Sequence, residues 1–94
     1  MVKGRFQIKR ISVPGSKYPT YQITYENYQG GEFVGSIEAE HLKDFLRDRL
    51  RLAPSSVEGL LDEVELHGQV LIEDAELSEV DMAAAGMQHL SPDV

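Results

Sequence analysis

Polar and apolar positions alternate along the first third of the chain. Phe6 and Ile8 share one parity while Lys3, Arg5, Gln7 and Lys9 share the other, as in a strand with one buried face. The parity breaks at Arg10-Ile11, where a bulge would keep Ile11 and Val13 inward. Pro14-Gly15-Ser16-Lys17 reads as a turn. Tyr21, Ile23 and Tyr25 then alternate with Gln22, Thr24 and Glu26, and the Gly30-Gly31 pair suits a hairpin. A third strand over 32–38 places Phe33, Gly35 and Ile37 on one face. Three strands joined by short turns make an antiparallel meander.

From Ala39 the period becomes helical, with Leu42, Phe45, Leu46, Arg49 and Leu50 at i, i+3, i+4, i+7, i+8. Pro54 ends this helix, because the residue before a proline avoids helical angles. Ser55-Ser56-Val57-Glu58 has the form of a capping box for a second helix, with Val57, Leu60, Leu61 and Val64 inward and Gly68 as C-cap. Residues 69–73 form a short strand around Val70-Leu71-Ile72. Ser78-Glu79-Val80-Asp81 is a second capping box, opening a short helix that ends near Gly86.

The predicted fold is therefore α+β: a small, mainly antiparallel sheet of three to four strands packed on a helical pair. The order is β-β-β-α-α-β with a short C-terminal helix. Residues 1–77 are expected to form the single α+β domain and 78–94 a C-terminal tail, either a short helix or partly disordered. The predicted core is Phe6, Ile8, Tyr21, Ile23, Phe33, Ile37, Leu42, Phe45, Leu46, Leu50, Val57, Leu60, Leu61, Val64, Val70 and Ile72.

Composition supports a packed core, with 41% apolar and 27% charged residues. The absence of cysteine excludes disulfides and thiolate chemistry. Val70-Leu71-Ile72 and Ala83-Ala84-Ala85 are the longest apolar runs, far short of the ~20 residues of a membrane span. Met1-Val2-Lys3-Gly4-Arg5 has no apolar run behind it, unlike a signal peptide. A soluble, cytoplasmic chain is expected.

Charge changes the picture most. Residues 1–51 hold all 9 Lys and Arg and six acids, a formal +3; residues 52–94 hold ten acids and no cation, a formal −10. A field this uneven selects partners by sign. The leading expectation is a small acidic, non-catalytic interaction or regulatory module that docks a basic partner protein. Glu58, Asp62 and Glu65 recur at i, i+4, i+7 on the second helix, and Glu73 and Glu76 follow. The oppositely charged halves and the unpaired edges of a small sheet also allow a homodimer.

Two other classes compete with this reading. A basic sheet face of Lys3, Arg5, Lys9 and Lys17 beside Tyr18 offers phosphate contacts and a stacking ring. Against it, the alternation turns Tyr21 and Tyr25 into the core, and ten acids oppose a polyanion. The segment from Leu50 to Val70 resembles the recognition-helix half of winged-helix DNA-binding proteins: a helix, a serine-containing turn, a helix with Leu60-Leu61, then Gly68 and a strand. That resemblance implies a helix laid in a DNA groove, yet its outer face would be Glu58, Asp62, Glu63 and Glu65, without a cation. Nucleic acid is thus a disfavoured partner. A small enzyme is the third class. His41, His67 and His89 stand apart, and Glu38-x-Glu40-His41 reads as an acid-rich helix start rather than a ligand set. No catalytic residue, metal site or cofactor is predicted.

Overall fold

The computed structural model describes residues 2–11, 14, 15 and 20–90, and at Val2 and Leu90 the backbone alone. The meander forms as β1 (Val2–Ile11), β2 (Thr20–Asn27) and β3 (Glu32–Glu38). β1 and β2 stay in unbroken antiparallel register from Gly4 opposite Asn27 to Ile11 opposite Thr20. The bulge expected at Arg10-Ile11 is therefore absent. Arg10 keeps the parity of Phe6 and Ile8, which is tolerable because a carboxylate waits for it on that side (below). Val13, Ser16, Lys17 and Tyr18 lie outside the described residues.

α1 (Ala39–Asp48) buries Leu42, Phe45 and Leu46. It ends well before Pro54, which instead stands in the first turn of α2 (Pro54–His67). Proline suits that position, since its missing N–H would have no partner there anyway. With the helix starting two residues earlier than expected, Ala53 rather than Ser55 is the N-cap and no side chain caps it, so the Ser55–Glu58 box does not form. The C-terminus follows expectation: Gly68, at φ 79, closes α2 in the left-handed region and donates its N–H to the Val64 carbonyl at 2.7 Å.

β4 (Gln69–Leu77) pairs antiparallel with β1 and runs four residues beyond the expected end. Phe6 lies opposite Ile72, but Gly4 lies opposite Ala75, so β4 carries one extra residue at Glu73-Asp74. Asp74 absorbs the bulge at φ 57. The slip lets Val70 and Ile72, then Ala75 and Leu77, all face inward despite their opposite parities.

The chain then returns across the helical side. The Ser78 box does form: the Asp81 N–H donates to Ser78 Oγ at 3.2 Å and the Ser78 N–H to Asp81 Oδ2 at 3.0 Å. It opens α3 (Glu79–Ala84), after which β5 (Gln88–Leu90) pairs with β3. Among the described residues the sheet thus has five antiparallel strands in the order β4-β1-β2-β3-β5, rather than three or four. Met82, Ala85 and Met87 join the same core as Phe6, Ile8, Ile23, Leu42, Leu46 and Val64. The Phe6 and Phe45 rings stack at 5.6 Å, linking sheet to α1. Phe33, Leu50, Leu60, Leu61 and Ile72 pack at the margin of the core. Helices cover one face of the sheet, while Lys3, Arg5, Lys9, Glu26 and Leu71 are exposed on the other. Among the described residues, no helix is long and apolar enough to cross a membrane.

Candidate functional site

α2 turns Val57 and Val64 into the core, which carries Glu58, Asp62 and Glu65 onto one flank, each a residue ahead of the apolar stripe. Glu58, Asp62 and their neighbour Glu63 are exposed, and among the described residues none has an ion-pair partner. Glu65 differs. Its Oε2 lies 2.6 Å from Arg10 Nη1, and its Oε1 accepts the Tyr21 hydroxyl at 2.8 Å. Burial first, and the Glu65 carboxylate second, push the Tyr21 phenol above its ordinary pKa.

Glu73 sits in the β4 bulge. Glu76 lies between inward Ala75 and Leu77, so it points to the open face of the sheet, opposite Lys3 in register. The five acids therefore fall into a helical group of three and a strand pair, with Glu76 directed away from the helices.

The basic row occupies the open face of β1. Arg5 stands opposite Glu26 and Lys3 opposite Glu76, so acidic neighbours flank two of its three described cations. Lys17 and Tyr18 lie outside the described residues. Tyr21 and Tyr25 are in the core. Tyr28, at the hairpin turn, donates its hydroxyl to Asp74 Oδ1 at 3.0 Å and accepts the Asp74 N–H at 3.3 Å. The strand after α2 lies at an edge of the sheet, paired with β1.

No protein family, curated protein or solved structure matches this chain.

His41 is exposed on α1, His67 ends α2, and the His89 ring packs 4.8 Å from that of Phe33. Among the described residues no three His, Asp or Glu side chains converge on a point that could hold a metal.

A second acidic feature lies on α1, which the sequence pattern had grouped with the basic half. His41, Asp44 and Asp48 share one flank at i, i+3, i+7, the spacing that could have revealed them. They rim a groove of about 550 Å³ between α1, α3 and the end of β3, above Ile37, Phe45 and Ala85. Arg47 clasps Asp44 and Asp48 at 3.0 Å each, and its hydrogen bond holds the Asp48 carboxyl below its usual pKa. Arg49 reaches Asp81 of α3 at 3.2 Å. Counted by layer, residues 39–67 and 79–84 hold nine carboxylates against four cations.

Proposed function

We propose that this chain is a non-catalytic interaction or regulatory module of the cytoplasm whose helical layer docks a basic partner protein. The observation that carries this reading is the exposed trio Glu58, Asp62 and Glu63, which has no ion-pair partner among the described residues. Carboxylates at i, i+4 on a helix repel one another. A cationic surface relieves that repulsion and is drawn in by the field before contact. At physiological salt such fields decay over about 8 Å, which makes the docking short-ranged and salt-sensitive.

The basic row on β1 supports a nucleic-acid partner less well. Cross-strand acids flank it, and two of the tyrosines that would stack bases are in the core.

The test is affinity purification from the native cell at about 50 mM and about 500 mM salt, where the Debye length drops several-fold. Basic proteins retained at the lower salt and released at the higher are expected. Recovery of none at low salt, or retention that ignores salt, would overturn the reading. Binding of mixed-sequence oligonucleotides at about 50 mM salt, where phosphate contacts are strongest, would favour the nucleic-acid alternative.

A further inference from the structure

The groove between α1, α3 and β3 has a composition that selects one kind of guest. Its floor is Ile37, Phe45 and Ala85, and Glu38, Asp44 and Asp48 stand at its rim. Among the described residues, Arg49 is the one Lys or Arg lining it, and it is turned onto Asp81 of α3. Asp44 and Asp48 share Arg47, but their side chains stay 61% and 59% exposed, which leaves oxygens facing solvent. An apolar floor under a carboxylate rim complements an alkyl stem that ends in a positive charge. Lysine and arginine side chains have that construction: the stem lies along apolar surface while the head stays with water and anions. A phosphate or carboxylate ligand would meet the rim with like charge.

We infer that this groove receives a lysine or arginine side chain of the basic partner, as an anchor separate from the α2 face. The inference rests on the docking role proposed above and adds its point of insertion. The α1 rim and the α2 trio then act as two contacts on one layer. α2 supplies unpaired charge that attracts at a distance, and the groove supplies shape and a place for the stem.

The probe is n-butylguanidinium, with n-butanol as the uncharged control, followed by amide chemical shifts of the labelled protein. Shifts centred on Ser36, His41, Phe45 and Ala84 are expected with the cation and not with the alcohol. Asp44→Asn with Asp48→Asn should weaken binding, by up to about fivefold for each charge removed. Both residues are exposed, and an unchanged amide spectrum outside the groove confirms that the variant folds. Ala84→Lys, which places an ammonium in the groove from its own wall, should compete with the probe and weaken it similarly. Glu58→Gln with Asp62→Asn and Glu63→Gln should leave the groove shifts intact while lowering retention of native basic proteins. Shifts that centre on α2, that n-butanol reproduces, or that survive both groove variants would overturn the anchor. Loss of native partners from wild-type protein with the groove shifts intact would instead overturn the docking role alone.

Discussion

Arg10 and Glu65, separated by 55 positions in the chain, form a 2.6 Å ion pair that ties β1 to the last turn of α2. The other oxygen of Glu65 accepts the Tyr21 hydroxyl from β2. One carboxylate thus joins three elements at the end of the sheet where α2 hands over to β4. A position whose helical spacing assigns it to the solvent-facing stripe has become part of the fold's seam. The unpaired charge of α2 accordingly lies at Glu58, Asp62 and Glu63, in the turns that precede Glu65.

Glu65 should therefore behave unlike its stripe partners. Glu65→Gln keeps an acceptor for Tyr21 and loses only the charge opposite Arg10. Because both partners are 47% exposed, that loss should stay under about 1 kcal/mol. Glu65→Ala also strips the partner from a largely buried phenol, and should cost about 1–3 kcal/mol. Urea denaturation of the two variants decides. Equal losses would show that the Tyr21 bond contributes nothing.

Alkaline pH should loosen the fold through the same phenol. Burial, reinforced at Tyr21 by Glu65 and at Tyr25 by Glu76, raises both above the ordinary tyrosine value of 10.0. A group whose pKa is higher folded than unfolded stabilises the native state below the unfolded value. That contribution disappears as pH rises through the folded value. Stability should hold to about pH 10 and fall above it. Phenolate absorbance measured alongside denaturation checks this, and Tyr21→Phe should flatten the alkaline decline.

Acid acts on the opposite group. The Ser78 backbone N–H, then the Ser78 hydroxyl and Arg49, hold the Asp81 carboxyl below its ordinary 3.8. A depressed folded pKa gives stability that is present above the unfolded value and lost as pH falls through the folded one. α3 should therefore open locally below about pH 4 before the sheet does. Ser78→Ala should reproduce that opening at neutral pH, at a cost of about 1 kcal/mol. Hydrogen exchange at Met82 and Ala85, measured against Ile23, reads both effects.

The meander, both long helices, the second capping box and most of the core were legible in the sequence, because each depends on local period and capping chemistry. What was not legible depends on distant partners. Arg10 breaks the alternation only when Glu65 is unknown, so a bulge appeared necessary where none forms. The real bulge at Glu73-Asp74 hid Ala75 and Leu77, since a one-residue slip reverses the parity that marks a strand. β5 is three residues long and has no periodic signal of its own; it exists because β3 offers an edge. The α1 rim went unseen for a similar reason, as Asp44 and Asp48 form a groove wall only once α3 crosses beside them.

That crossing sets a requirement at Gly35. A β-carbon there would stand 3.1 Å from both Cα and Cγ of Met87, and the opposing backbone has little room to retreat. Gly35→Ala should destabilise by about 1–3 kcal/mol, as overpacking does, and should loosen α3 and β5 more than β1 and β2. Gly4→Ala should be worse, because its β-carbon would collide with the Glu26 carbonyl and approach Asn27 Cα to 2.7 Å, both backbone atoms of the paired strand. Thermal unfolding ranks the two, and a silent Gly4→Ala would show that β1 and β2 can separate there.

The α2 trio should separate stability from binding. Glu58, Asp62 and Glu63 are exposed and, among the described residues, make no ion pair, so replacing them with Gln, Asn and Gln breaks no ion pair of the fold. Glu58 and Asp62 stand at i, i+4, where like charges oppose helix formation by about 0.2–0.5 kcal/mol. The triple variant should therefore match or slightly exceed the wild type in denaturant, and the difference should shrink in high salt as the repulsion is screened. Capture of basic proteins at low salt should drop in the same variant. Glu65→Gln, which removes a charge already matched by Arg10, should leave capture nearly unchanged. A triple variant that loses more than about 1 kcal/mol would place these carboxylates among the fold's own supports. One that keeps full capture would move the docking surface away from α2.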